Sequence, residues 1–406
     1  MKVVVAPDSF KESLGATEVS AALAEGVIAA CPSASVDLCP MADGGDGTVE
    51  AMVTATGGQF LTADVYDPVG REIRARFGLL GEPAGTPLPG QVGLSAARTL
   101  ADGEGTPATG PGRTTAVVEM AAASGLALLA PDMRDPLRTT TYGTGLLILA
   151  AMDAGADTVI VGIGGSATVD GGCGCAQALG VSFVDVDGKP SVCGLAGGGL
   201  ARIGRIDASR RDDRLARMRI RVACDVTNPL LGPNGAAAVY GPQKGATPDG
   251  VAQLEDGLEH LAEIIRRDLA LDVTALVGGG AAGGLGAGLV AFAQATLEPG
   301  LGVVAEAVGL ARRLLDADLC ITGEGKLDAQ SAAGKTTVGV ADIARATSVP
   351  VICIPGQTTA DAPSHLFADV RPLAAEEVSK RLAMQQTAPL LKRRAKEAVA
   401  TFMRRA

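Results

Sequence analysis

The sequence of 406 residues is poor in aromatic residues and in histidine, and both shortages exclude classes of function. Phe, Tyr and Trp make up 2% of the chain, Trp is absent, and the formal net charge is −10. Stacking platforms and basic grooves for nucleic acid are therefore not expected. Only two histidines occur, His260 and His365, which argues against His-rich metal sites and Ser-His-Asp chemistry. We expect the chemistry to come from carboxylates, lysines and backbone groups.

The sequence also lacks a convincing membrane segment and a secreted disulfide framework. Residues 273–297 carry no charge and are long enough to span a bilayer, but seven of them are Gly and acidic residues flank both ends. We interpret this run as a buried Gly-rich turn followed by a helix. The eight cysteines show no paired spacing, and the N-terminal segment predicts a strand rather than a signal peptide. A soluble cytoplasmic protein without a membrane partner is expected.

Apolar, β-branched segments alternate along the chain with Gly-rich loops and helical periodicity, as is typical of an α/β fold with a largely parallel sheet. Residues 60–80 differ, because apolar and polar side chains alternate there as in half-exposed antiparallel strands. Residues 81–113 are rich in Gly, Pro and Thr and aperiodic, which favours a long mobile loop. Buried strands are predicted at residues 3–6, 36–39, 158–163, 220–223, 319–322 and 350–354.

The length suits two or three domains at about 150 residues each. Composition shifts near residues 60–65 and 278–288 indicate a middle domain inserted into an outer one. We predict an outer domain of residues 1–64 plus 290–406 and an inserted domain of residues 65–289. The loop 81–113 belongs to the inserted domain. The C-terminal segment predicts two helices broken at Pro389.

A Gly-rich loop at residues 162–168 follows directly on a predicted strand and precedes a helix. Its glycines let the backbone approach an anion, and successive N–H groups at a helix N-terminus favour phosphate. The spacing is not that of the dinucleotide fingerprint. Gly334-Lys335-Thr336 does not complete a Walker A motif, because residue 329 is Ala where the first Gly is required. A tight turn without a ligand is the alternative interpretation of the Gly-rich loop.

Charged side chains concentrate in the loops that follow the predicted strands. In a parallel α/β sheet these loops converge on one crevice, where ligands bind. Phosphoryl transfer needs carboxylates for Mg²⁺ and for the nucleophile, together with cations for the phosphates. Taken singly, each acidic residue could instead cap a helix. The residues concerned are Asp8, Lys11, Glu12, Asp43, Asp46, Asp225, Glu324, Lys326 and Asp328, with Lys244 and Lys335 in further loops.

Several long motifs follow one another in a fixed order along most of the chain. They begin with Ala6-Pro7-Asp8-Ser9-Phe10-Lys11 and Met41-Ala42-Asp43-Gly44-Gly45-Asp46-Gly47-Thr48, and continue at residues 119–126, 141–145, 162–170, 224–230, 241–246, 280–286 and 322–328. In this order they resemble the bacterial glycerate kinase family of the first type. The departures are Asp46 where Glu is usual, Val169 where Asn is common, the insertion 81–113, and residues 355–357 in place of an Ala-Gly turn.

The resemblance implies ATP-dependent phosphorylation of D-glycerate with Mg²⁺, at the 2-hydroxyl, giving 2-phosphoglycerate and ADP. It also implies two α/β domains, a flavodoxin/Rossmann-like outer domain and an inserted domain of restriction-enzyme-like fold. The expected partners are small-molecule substrates, and an oligomer is compatible with the sequence.

We assign roles to the loop residues from their position and chemistry. Asp43 and Lys11 are the expected catalytic residues, with Asp43 acting on the glycerate hydroxyl; an exchange of roles between Asp43 and Asp225 is the alternative. Ser9 and Arg71 are expected to bind substrate, and Asp225 and Glu324 to bind Mg²⁺. The nucleotide is expected to contact Gly164, Gly165, Ser166, Lys244, Lys326 and Lys335.

Alternative functions remain open at this stage. The same loops would serve transfer to the 3-hydroxyl or to another small hydroxy acid. A nucleotide-binding sensor without turnover is a further alternative, although the intact set of carboxylates argues against it.

Overall fold

The computed structural model describes residues 1–81, 114–329, 331, 336–374 and 378–405. Apart from Gly81, the segment predicted as a mobile loop lies outside these residues, as does Lys335. The strands are β1 (Lys2–Val5), β2 (Ser35–Leu38), β3 (Gln59–Tyr66), β4 (Glu72–Leu79), β5 (Thr115–Glu119), β6 (Thr158–Gly162), β7 (Ser182–Asp185), β8 (Ile203–Asp207), β9 (Arg219–Ala223), β10 (Thr296–Glu298), β11 (Leu319–Thr322), β12 (Lys326–Leu327), β13 (Val351–Cys353), β14 (Gln357–Thr358) and β15 (Asp369–Val370).

The helices lie mainly in the crossovers between parallel strands. They are α1 (Ala16–Ala30), α2 (Thr48–Thr56), α3 (Ala121–Ser124), α4 (Tyr142–Asp153), α5 (Cys173–Ala178), α6 (Ala236–Tyr240), α7 (Pro248–Leu269), α8 (Leu285–Ala293), α9 (Gly300–Ala307), α10 (Leu310–Leu314), α11 (Thr336–Ala346), α12 (Lys380–Gln385) and α13 (Thr387–Arg405).

One of the two large sheets is parallel and has five strands, in the order β2-β1-β11-β13-β15. Counted along the chain within this sheet, the order is 2-1-3-4-5, which is that of flavodoxin-like folds. The predicted flavodoxin-like architecture is therefore confirmed. The order reverses between β1 and β11, and this topological switch point is where such sheets bind ligands.

The other large sheet has six strands, in the order β10-β9-β6-β5-β4-β3. Four of its strands are parallel, while β3 and β4 form the antiparallel pair predicted from the alternation at residues 60–80. The expected domain limits, between 64 and 65 and between 289 and 290, fall inside β3 and α8. Both β3 and β10 pair within the six-stranded sheet; the domain limits and the division into two domains stay predictions.

Alternate residues of the central strands pack against helices on opposite faces of the sheet. Val3 and Val5 of β1 pack against α1 and α13, whereas Val4 joins a different hydrophobic cluster. That second cluster also contains Val117 and Ile160 of the six-stranded sheet, together with apolar residues of α2 and α9. Residues of α2 and α9 thus form one continuous core with residues of both sheets, which fixes the sheets relative to each other.

Two further sequence expectations concern the C-terminal half of the chain. The uncharged run 273–297 contains a 3₁₀ turn at Ala281–Gly284 and the buried helix α8, as expected. Among the described residues, no helix has both the length and the apolarity needed to cross a bilayer. The helix break expected at Pro389 lies instead at Gln386, because Pro389 falls in the first turn of α13, where a missing N–H costs no helical bond.

Candidate active site

The loops after the carboxyl ends of both sheets meet in one cleft. The loop after β2 lies directly against the end of β9, since a Cβ on Gly44, which has φ +90°, would be 2.8 Å from the Cβ of Ala223. It also lies against the end of β6, where a Cβ on Gly162 would be 2.7 Å from the carbonyl oxygen of Gly44. Only glycine permits both approaches. The close contact of these loops brings the two sheets' ligand-binding edges together.

The cleft consists of three adjoining cavities. The switch-point cavity, about 370 Å³, lies between the loops after β1 and β11 and the C-terminal helices. The inter-sheet cavity, about 420 Å³, lies between the loop after β2 and the loops after β6 and β9. A connecting cavity of about 380 Å³ is lined by the loops after β1 and β2. Lys11 and Asp43 line all three.

The two residues predicted to be catalytic therefore lie where the cavities meet. Lys11 is exposed, and Asp43 is half-buried. The Oδ1 atom of Asp43 accepts a hydrogen bond of 3.0 Å from the backbone N–H of Gly45, which orients the carboxylate in its loop. A carboxylate and an ammonium group at one junction can receive a proton and stabilise a transferred anion.

Asp8, the first charged residue after β1, also lines the cleft, although the sequence analysis gave it no specific role. Its carboxylate accepts hydrogen bonds of 2.6 Å from the N–H of Ser9 and from the hydroxyl of Thr336. Burial raises the pKa of Asp8 to about 6, and the charges of Asp43 and Glu324 add to this effect while the two hydrogen bonds oppose it. Its position directly after a strand was the sequence signal, but a capping role predicts the same position.

A buried lysine from a distant part of the chain is hydrogen-bonded to the Gly-rich loop after β6. Lys244 is 2% exposed, and its ammonium group donates hydrogen bonds to the hydroxyl of Ser166 (2.6 Å) and the carbonyl of Thr168 (2.7 Å). Burial lowers the pKa of Lys244 to about 7, partly offset by the charge of Asp170. Gly164, Gly165, Ser166 and Lys244 all line the inter-sheet cavity, so the structure brings these four predicted residues together.

Asp170 follows the Gly-rich loop and binds the N-terminal ends of α4 and α5. Its carboxylate accepts hydrogen bonds from the N–H and hydroxyl of Thr141, both 2.7 Å, and from the N–H groups of Gly172 and Gly174. Burial raises the pKa of Asp170, although these four donors oppose the shift. Asp170 is therefore a fully satisfied internal carboxyl group.

The predicted metal ligands line different cavities. Asp225 lines the inter-sheet cavity and accepts a 2.7 Å hydrogen bond from the N–H of Gly300, and desolvation by the surrounding loops raises its pKa, with the charge of Asp43 adding to it. Glu324 lines the switch-point cavity, is buried and accepts a 2.5 Å hydrogen bond from the hydroxyl of Thr337. The two carboxylates thus do not line a common cavity.

The remaining predicted residues fall into three groups. Ser9 and Lys326 line the switch-point cavity, where Lys326 is exposed and pairs with Asp328 at 2.8 Å. Arg71 lines none of the three cavities, because its guanidinium pairs with Asp67 at 2.5 Å and donates to the carbonyl of Leu128. Lys335 lies outside the described residues. The expected nucleotide set is therefore divided between two cavities.

Comparisons with known proteins match nearly the whole chain. The model of the "Glycerate kinase family" matches residues 3–403. The chain is 46% identical over 361 residues to the "Glycerate 2-kinase" of Escherichia coli (strain K12) and to a "Glycerate kinase" of Bacillus subtilis (strain 168), in each case covering 89% of this chain and 86% of the relative. A Salmonella typhimurium LT2 crystal structure assigned as glycerate kinase 2 superposes with a TM-score of 0.84 at 44% identity, covering 100% of this chain and 98% of that one.

Proposed function

Because the chain belongs to the glycerate kinase family and is therefore an enzyme that phosphorylates glycerate, we propose that it transfers the γ-phosphoryl group of ATP to the 2-hydroxyl of D-glycerate. The products are 2-phosphoglycerate and ADP. The observation that carries the proposal is the position of Lys11 and Asp43 at the junction of cavities large enough for two separate ligands. The choice of the 2-hydroxyl is supported by the name of the Escherichia coli relative.

The transfer balances as a single displacement. The oxygen of the glycerate hydroxyl forms a bond to the γ-phosphorus, and the bond from that phosphorus to the β–γ bridging oxygen breaks, so its electron pair leaves with ADP. Asp43 accepts the proton that the hydroxyl loses. Lys11 stabilises the negative charge on the equatorial oxygens of the phosphoryl group while it moves between the two ligands.

Mg²⁺ fits the donor set of the cleft, which consists of oxygen ligands. Among the described residues no group of three or more His, Cys, Asp or Glu could hold a metal ion. In kinases, one or two carboxylates, waters and the substrate phosphates complete the coordination of Mg²⁺. Because Asp225 and Glu324 line different cavities, we propose that each contributes a single carboxylate to Mg²⁺ at the phosphates, Asp225 from the inter-sheet side and Glu324 from the switch-point side. The Oδ1 of Asp225 is engaged by Gly300, which leaves Oδ2 for the ion. When bound, Mg²⁺ neutralises charge on the ATP phosphates.

The test is a coupled assay of ADP release with and without D-glycerate, with the product identified by ³¹P NMR. We expect release that depends on glycerate and on Mg²⁺, and a product resonance of 2-phosphoglycerate. A 3-phosphoglycerate resonance would refute the proposed acceptor hydroxyl. ATP binding without glycerate-dependent release would refute the proposed phosphoryl transfer and identify the protein as a nucleotide sensor.

A further inference from the structure

We infer that the cleft separates its two substrates: the switch-point cavity takes the nucleoside of ATP, and the inter-sheet cavity takes D-glycerate, whose carboxylate is bound by Lys244. The inference rests on the proposed function and assigns each substrate to its own cavity. It changes the role expected from the sequence for Lys244 and the Gly-rich loop, from nucleotide binding to acceptor binding.

The junction of the cavities dictates that each substrate occupies one side. The phosphoryl group must pass between two ligands at the point where both can reach the same side chains. Lys11 and Asp43 line both the switch-point and the inter-sheet cavities, so the γ-phosphoryl group belongs beside them. The nucleoside and glycerate then extend from this point in different directions.

The switch-point cavity has the lining that a nucleoside requires. Phe10, Leu373 and Ala383 are buried and give it an apolar wall, and Met384 is 42% exposed at its edge. The side chain of Gln357 adds an amide that can pair with a base through both a donor and an acceptor. Apolar walls with a few polar groups characterise small-molecule sites, and the switch point of a parallel sheet is where nucleotides bind.

The inter-sheet cavity has a cation suited to a single small anion. An ammonium group has three donors, and Lys244 uses two of them on Ser166 and Thr168. The third remains for a ligand in the cavity that Lys244 lines. A single charged donor in a nearly buried position is suited to one carboxylate. A triphosphate, in contrast, requires several cations. Asp170, the negative charge behind Lys244, is already satisfied by four donors, so a bound carboxylate supplies the missing counter-charge.

Two pairs of variants test the assignment in the full-length protein. Lys244→Met removes the ammonium group, and Ala383→Phe fills the switch-point cavity. Isothermal titration with D-glycerate alone and with MgADP alone gives the dissociation constants, and steady-state kinetics gives KM for each substrate. We expect Lys244→Met to weaken D-glycerate by about 10- to 100-fold while MgADP stays within about 3-fold. Ala383→Phe should weaken MgADP by at least about 10-fold and leave D-glycerate nearly unchanged.

A second pair of variants, at partly exposed positions, tests the same assignment if the buried variants do not fold. Val226 and Met384 are both partly exposed, at 39% and 42%, and line the inter-sheet and switch-point cavities respectively. Val226→Trp should raise KM for D-glycerate only, and Met384→Trp KM for ATP only. The reversed pattern, equal effects on both substrates, or no effect in any variant would overturn the inference. If the unmodified enzyme showed no glycerate-dependent ADP release, the proposed function would fail instead.

Discussion

Because the ammonium group of Lys244 is buried, it contributes a pH dependence to the stability of the protein. A single substitution of Lys244 removes this contribution. Burial lowers its pKa from 10.5 to about 7 in the folded chain, whereas the unfolded chain has the ordinary value. Below pH 7 the lysine is charged in both states, so the full cost of burying the charge is present. Above pH 10.5 it is neutral in both states and that cost is absent. Between these limits the unfolded state binds more protons, so stability rises with pH.

The magnitude follows from the two pKa values. At 1.36 kcal/mol per pH unit, the difference between 10.5 and about 7 corresponds to ~5 kcal/mol as an upper limit. Lys244→Met removes the titration but keeps most of the volume. The free energy of unfolding of Lys244→Met, relative to the unmodified protein, should therefore fall by up to ~1.4 kcal/mol per pH unit from pH 7 upward. The loss of a donor to Ser166 and Thr168 adds an offset that does not change with pH.

Urea unfolding of both proteins at pH 6.5, 7.5, 8.5 and 9.5, followed by far-ultraviolet circular dichroism, measures this difference. The chain has no Trp, so its intrinsic fluorescence gives little signal. Lys326→Met is the control, because Lys326 is exposed and its pKa is raised rather than lowered by Asp328. Its effect should be the same at all four pH values. A difference between Lys244→Met and the unmodified protein that does not change with pH would show that the ammonium group is solvated or paired.

Further predictions concern the junction of the cleft. Asp43→Asn should lower kcat by ~10²–10⁴ with KM for ATP nearly unchanged, as measured by ADP release, because general-base help acts in the transition state; Asp64→Asn, exposed on β3 outside the cleft, should match the unmodified enzyme. Asp225→Asn should raise the Mg²⁺ concentration needed for half-maximal rate, and more Mg²⁺ should partly restore activity. Gly300→Ala should lower kcat, because its Cβ would lie 2.0 Å from the carbonyl oxygen of Asp43, whereas Gly302→Ala in the same helix meets nothing within 4 Å and should leave kcat unchanged. MgATP at ~100 times its dissociation constant should stabilise the protein by ~2.7 kcal/mol, seen as a rise in melting temperature, and no rise at saturation would contradict nucleotide binding.

Six of the parallel strands, β1, β2, β6, β9, β11 and β13, and the chemical character of the loops after them are predictable from the sequence. Hydrophobic and β-branched runs are local signals, and the rule that loops at the carboxyl ends of parallel strands converge needs no coordinates. That reasoning was enough to select Lys11 and Asp43, which the structure places at the junction of the three cavities. It was also enough to predict the antiparallel pair β3 and β4 from their alternation of polar and apolar residues.

Which of these loop residues share a cavity, and how deeply each is buried, depends on how distant segments of the chain pack together. Asp225 and Glu324 were grouped by chemistry, but they follow strands of different sheets and line different cavities. Arg71 was chosen for its charge, yet the turn after β3 pairs it with Asp67. The burial of Lys244 depends on the loop after β6, which is far away in the sequence. Burial and partnership arise from contacts between distant segments, and a local pattern of residue types does not contain them.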